Sequence, residues 1–146
     1  DAALQEKLGR TLAHILGQPH EREKFVRDMR DMRARVEAEH PAQGPFDIKY
    51  ARGGLMDLDF LDQIHALMHV PLPADAAATL TQSRMFQMRL YHYIRLFSGD
   101  RLQEAHASTT LKDALARVMG VRDFATLKEL LEDRQRQAYT AFQRLT

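Results

Sequence analysis

Residues 46–60 read FDIKYARGGLMDLDF. To either side the chain is written in Leu, Met, Arg, Glu and Ala, the residues that favour helices. This stretch breaks that vocabulary. It holds an alternating apolar segment (Phe46, Ile48, Tyr50), two cations (Lys49, Arg52), the adjacent glycines Gly53 and Gly54, and two acids, Asp57 and Asp59. Paired glycines interrupt a helix, and the apolar run from Leu55 restarts one, so Gly54 is the expected N-cap of a new helix. The period-two alternation from Phe46 to Tyr50 predicts an extended lead-in, too short to form a sheet by itself.

Working outward, apolar spacing predicts five to six helices. The first runs near Ala3 to Leu16, with Leu4, Leu8, Leu12 and Ile15 on one stripe and Gly17 as its stop. The second runs near Glu21 to His40 on Phe25, Met29, Met32 and Val36, and Pro41, Gly44 and Pro45 break it. The third follows Gly54 and ends near His69, before Pro71 and Pro73. Its apolar residues cover more than one stripe, so it is expected to be the most buried. The fourth spans Ala76 to Phe97 on Phe86, Leu90, Tyr93 and Phe97, and a short fifth spans Leu111 to Met119 before Gly120. The last starts after Asp123 on Phe124, Leu127, Leu131, Ala138, Phe142 and Leu145. Short connections between such helices predict an all-α antiparallel bundle. A length of 146 residues fits a single domain.

Composition narrows the function classes. Apolar residues are 45% and charged residues 28% of the chain, the range of a soluble globular domain. The absence of cysteine excludes disulfides and thiolate metal sites and suits a reducing cytoplasm. No apolar run approaches the roughly 18 residues of a membrane span. A net charge of +1 gives no bulk argument for nucleic acid. Between Ala76 and Gly99 there is no acid, while Arg84, Arg89 and Arg95 are present. That strip reads as a solvated helix face, with a phosphate-facing strip as the alternative. The chain opens at Asp1 without Met, as a piece of a longer protein would.

The candidate chemistry lies in the opening stretch. A helix start offers N–H groups and partial positive charge, and glycines let a ligand or another backbone come close. With Lys49 and Arg52 beside Gly53 and Gly54, the stretch could hold a phosphate, or the glycines could simply join lead-in to helix. Asp59 shares a polar helix face with Asp62, Gln63, Ala66 and His69, whereas Asp57 projects with Leu61, Ile64 and Met68. An acid on that apolar side is either wet at the helix start or partly buried against a cation such as Lys49 or Arg52. His65 and His69 have a ligand-like i, i+4 spacing without the Glu of a HExxH site, so they read as surface histidines and no metal site is expected. Tyr91, Tyr93 and Phe97 read as bundle core. Ser83, Ser98 and Ser108 stand in no nucleophile turn.

The pattern Asp47-Ile48-Lys49, Gly53-Gly54, Asp57-Leu58-Asp59-Phe60 resembles the signature of the bacterial glutamine-synthetase adenylyltransferases. RDMRDMRARVEAEHP (27–41) resembles the helix leading into that motif, and residues 111–145 resemble the family's C-terminal end. Asp59 stands where the family usually has Glu, and Asp62 where a small or apolar residue is commoner. The resemblance implies a nucleotidyltransferase-associated helical domain from the adenylylating half of a two-halved enzyme, with the catalytic domain upstream. Such an enzyme transfers AMP from ATP to a tyrosine of glutamine synthetase and removes it by phosphorolysis, regulating nitrogen assimilation. Mg²⁺ and ATP would be bound mainly by the catalytic domain, and neither is expected in this segment, which would be catalytically silent alone. Implied partners are glutamine synthetase, the PII signal protein and the catalytic domain of the same chain, in the cytoplasm, with no nucleic acid or membrane. The residues expected to face the nucleotide or that domain are Lys49, Arg52, Gly53, Gly54, Asp57 and Asp59. The alternatives are a non-enzymatic module binding a PII-type regulator or glutamine synthetase, and a PII uridylyltransferase-type domain.

Overall fold

The computed structural model describes residues 2–16, 21–69, 71–72, 74–99 and 101–146. Among these residues six helices run in the order α1 (Ala2–Leu16), α2 (Arg22–Glu39), α3 (Leu55–Met68), α4 (Ala74–Ser98), α5 (Thr109–Met119) and α6 (Phe124–Leu145). The all-α expectation holds. Gly17 and Pro73, expected as helix boundaries, lie outside the described residues.

Local chemistry sets the ends. Gly54 caps α3 in an extended conformation, as expected. Ser108 accepts from the Leu111 N–H at the start of α5, and Gly120 ends that helix at φ +73°. The Asp123 carboxylate accepts from the Thr126 N–H at 2.8 Å, satisfying an otherwise unpaired donor of α6.

The interior is two apolar cores rather than one. The first gathers Ile48, Leu90, Ile94, Leu115, Leu127 and Leu131, with Phe46 stacked on Phe124 at 4.9 Å. The second gathers Met29, Leu58, Leu61, Ile64, Leu80, Ala138 and Phe142, with Phe60 beside Phe142. Leu55 packs against both. Along α4 the second core (Leu80) precedes the first (Leu90, Ile94). Along α6 the first (Leu127, Leu131) precedes the second (Ala138, Phe142). The two helices therefore run antiparallel. Between the cores both carry buried polar residues: Ser83 and Gln87 on α4, Gln135 on α6.

α3 is the hub. It touches α2, α4 and α6, and Leu58, Phe60, Leu61 and Ile64 are buried, with Leu67 half-buried. Several expected stripes shift. Met32 is 50% exposed and Phe97 43% exposed; Arg33 is buried on α2, and the buried stripe of α4 is Leu80, Ser83, Gln87, Leu90 and Ile94. Tyr91 and Tyr93 are half-buried against the first core. The expected extended lead-in is not extended. Tyr50 and Ala51 donate back to the Asp47 carbonyl at 3.0 and 2.8 Å, so residues 47–51 coil into turns. The alternation arose because Phe46 and Ile48 both enter the first core, which two residues can do without a strand.

Leu61, 1% exposed, touches the question of where the core lies. Leu61→Ala should cost about 2–5 kcal/mol in urea unfolding, and a loss under ~0.5 kcal/mol would place the core elsewhere. The second expectation concerns Asp123. Its hydrogen bonds from Thr126, with help from Arg122, lower its pKa from 3.8 to about 2. The charged cap thus stabilises the fold fully above the unfolded value, and that contribution fades as pH falls through the folded value. Asp123→Asn keeps an acceptor but cannot titrate. The stability gap between wild type and variant should therefore be constant above about pH 5 and should change only as the pH drops toward about 2. A gap that is flat down to that pH would contradict the capping geometry.

Candidate functional site

The glycine turn is held from three sides. Asp57, fully buried, is the centre. One carboxylate oxygen takes the Arg33 Nε–H from α2, and Oδ2 accepts from the Gly53 N–H at 2.6 Å. Arg33, itself buried, also donates through Nη2 to the Tyr50 carbonyl at 3.2 Å. From α4, Gln87 Nε2 donates to the Gly53 carbonyl at 2.9 Å and to Ser83 Oγ at 3.1 Å. Ser83 Oγ in turn donates to the Arg134 carbonyl of α6. From α6, Gln135 Nε2 donates to the Pro45 carbonyl at 2.7 Å. The Gly53 N–H and the Pro45, Tyr50 and Gly53 carbonyls are thereby paired inside the bundle, which burial demands.

Both glycines are required by contact, and Gly53 by conformation as well. Gly53 has φ +74°, and a Cβ there would lie 1.7 Å from the Gln135 carbonyl oxygen. A Cβ on Gly54 would lie 2.3 Å from the Ile48 carbonyl oxygen. The loop thus rests directly on the backbone of α6. The start of α3 is occupied too: the Leu55 and Met56 N–H groups donate to the Ile48 and Lys49 carbonyls at 2.9 and 3.3 Å.

The expected site residues separate into two layers. Gly53, Gly54 and Asp57 are buried; Lys49, Arg52 and Asp59 are exposed. Asp57 pairs with Arg33 rather than with Lys49 or Arg52, because α2 passes behind the turn and delivers Arg33 from the interior side. Arg52 reaches outward to Glu37, with Nη2 at 2.8 Å, and its guanidinium lies 5.8 Å from the Tyr139 ring centre. The Glu37 hydrogen bond and charge raise the Arg52 pKa above its ordinary value. Lys49 Nζ stands 5.1 Å from the Tyr50 ring, which stacks on His40. Asp59 and Asp62 both meet Arg84, at 2.6 and 2.7 Å, clamping α3 to α4 on the outer face. Arg89 donates to the Val118 carbonyl and Arg95 to the Tyr91 hydroxyl. The acid-free strip therefore spends its cations on internal ties. His65 and His69 are exposed.

Arg33, Ser83, Gln87 and Gln135 were not singled out by the sequence. A signal existed: each stands at an i+3 or i+4 position on an otherwise apolar stripe. On α6, Gln135 interrupts Leu131 and Ala138; on α4, Ser83 and Gln87 interrupt Leu80 and Leu90.

A groove of about 710 Å³ opens between residues 43–47 and 101–106, with Lys112 and Lys128 on its wall. Lys128 binds Glu104 at 2.9 Å, which raises the lysine pKa, and Lys112 lies 5.4 Å from the Phe124 ring. Among the described residues no three His, Asp or Glu side chains gather as a metal site would need, and no helix is long and apolar enough to cross a membrane.

Fold and site together define a class: an all-helical domain organised around a Gly-Gly turn seated on a neighbouring helix backbone. Its relatives give that class a context. The chain is 28% identical, over 95% of its length, to the bifunctional glutamine synthetase adenylyltransferase/adenylyl-removing enzyme of Xanthobacter autotrophicus. The enzyme of that name from Bartonella quintana is 24% identical over 99% of the chain. That from Mesorhizobium japonicum is 41% identical over 44% of it. The resemblance read from the central motif therefore extends across most of the chain. The chain spans 16% and 17% of the length of the first two relatives. No family model matches the chain, and no solved structure matches it.

Two substitutions separate the contact from the conformation. Gly53 and Gly120 share nearly the same φ, +74° and +73°, but a Cβ on Gly120 meets nothing within 4 Å. Gly120→Ala should cost about 1–2 kcal/mol, the left-handed strain alone. Gly53→Ala should cost more than about 4 kcal/mol or prevent folding. Equal losses in thermal unfolding would mean the turn does not rest on α6. Similarly, Asp57→Ala should destabilise by roughly 3–5 kcal/mol, because it removes the acceptor of the Gly53 N–H and leaves buried Arg33 only Glu37 at 3.7 Å, against about 0–1 kcal/mol for Arg52→Ala at the exposed pair.

Proposed function

We propose that this chain is the helical domain of a glutamine-synthetase adenylyltransferase, and that the exposed edge of the glycine turn faces the catalytic domain and its nucleotide. The observation that carries the reading is the match of nearly the whole chain to a segment of enzymes so named, with the motif at the structural centre of that match. The enzyme's reaction would be attachment of AMP to a tyrosine of glutamine synthetase and its removal, in the cytoplasm.

The geometry supports a division of labour. Gly53, Gly54 and Asp57 act from beneath: they fix the turn against α3 and α6. Lys49 and Arg52 stand on the outer side of that turn, where their charge can reach a phosphate chain or an acidic surface. Phosphoryl-type transfer depends chiefly on positioning and on stabilising developing charge. A cation on a rigid turn contributes more than one on a mobile loop, because no reorganisation is needed at the moment of reaction. Arg52 is held by Glu37 in this structure, so its engagement would require that carboxylate to yield or to share. We assign no metal-dependent step to these residues.

In the full-length enzyme, Lys49→Ala should slow adenylylation on the order of 30- to 1,000-fold, the scale of losing one preorganised donor. The same change in the 146-residue chain should leave its thermal unfolding midpoint unaltered, since Lys49 is exposed. An unchanged rate would remove Lys49 from the site, and a lost midpoint would make its role structural. The isolated chain itself, given ATP, Mg²⁺ and glutamine synthetase, should transfer no AMP; metal-dependent turnover by a clean preparation would overturn the assignment.

A further inference from the structure

Among the described residues, α1 differs from the other helices in having every described side chain exposed, from Ala2 to Ile15. Leu4, Leu8, Leu12 and Ile15 are 57, 53, 58 and 47% exposed. Their spacing of four, four and three places them on one stripe. The opposite side is polar, where Arg10 pairs with Glu6, and at the stripe's edge Thr11 Oγ1 is turned inward to donate to the Lys7 carbonyl. None of the four stripe residues belongs to or packs against either core. A helix of 15 residues with Gly9 inside it is marginal in water unless its apolar face is covered.

We propose that the α1 stripe docks on an apolar surface of the adjoining catalytic portion of the longer polypeptide, making α1 the apolar joint between that portion and the bundle. This rests on the reading above for the identity of the neighbouring portion. The relatives supply the occupant: the chain spans about one sixth of their length, so most of such a protein lies outside the bundle. The size of the stripe argues for the same occupant. One short helix face covers well below the roughly 1,200–2,000 Å² that stable complexes of separate proteins bury. A tethered neighbour needs far less, because the connection sets its effective concentration near the millimolar range. The stripe carries no charge, so its counterpart is apolar. The joint is also separate from the glycine turn: α1 packs against neither core, while the turn is built between them.

Trypsin cleavage after Lys7, followed by mass spectrometry, reads whether the stripe is covered. In the isolated 146-residue chain cleavage should be fast, and Leu4→Asp with Leu12→Asp should leave the unfolding midpoint of the bundle unchanged. In the full-length protein cleavage should be at least about 10-fold slower, and the double substitution should restore the fast rate. Equal rates in the two proteins would overturn the proposal. So would protection in the isolated chain, whether it grows with concentration, as for a second copy, or is independent of it, as for α1 folding onto its own bundle. The assay needs neither ATP nor glutamine synthetase, so a failed adenylylation assignment and a failed joint give different results.

Discussion

The structure depends on one buried ion pair. Arg33 arrives from α2 and Asp57 from the first turn of α3, and the carboxylate left over from that pairing holds the Gly53 N–H. Burying two charges is costly, and a well-made pair only roughly offsets that cost. What the pair supplies is uniqueness of arrangement: without Arg33 the Asp57 charge is stranded in the interior, and without Asp57 the buried Arg33 keeps only the partly exposed Glu37, at 3.7 Å. Because Asp57 also holds Gly53, and Gly53 holds Gln87, the pair fixes α2, the turn, α3 and α4 in one connected set. The turn then sits on the Gln135 backbone and brings in α6.

That arrangement explains why there are two cores. A turn rich in backbone polar groups cannot pass through an apolar interior without partners. The bundle supplies them as a belt of Arg33, Asp57, Ser83, Gln87 and Gln135, and the apolar side chains divide to either side of it. Leu55, immediately after the glycines, contacts both halves and keeps the division from becoming a gap. The belt's outer surface presents Lys49 and Arg52 on a base that the interior has already made rigid.

Much of this was legible in the sequence. Helix spacing, Gly54 as a cap, the start of the last helix after Asp123, and Asp57 on the apolar side of α3 all follow from periodicities of 3.6 and from residue chemistry. The partner of Asp57 was not legible, because Arg33 lies 24 residues away and only the passage of α2 behind the turn brings it near. The alternation at 46–50 suggested an extended segment, since Phe46 and Ile48 obey the same pattern whether they leave a strand or a coiled turn. Gln87 and Gln135 stand on apolar stripes, which hinted at burial, but only the turn's unpaired backbone groups give them a reason to be inside. For α1 the sequence showed the stripe and had no means of showing that neither core of the described residues covers it.

The central claim is that the turn at Gly53 is part of the interior rather than a surface loop. Native-state hydrogen exchange at the Gly53 amide tests it most directly, because that N–H donates to buried Asp57 at 2.6 Å. The account predicts exchange only through global unfolding, with an opening free energy within about 1 kcal/mol of that of Ile64 in α3. Exchange by local opening, at the rate of an exposed turn such as that at Gly44, would contradict it.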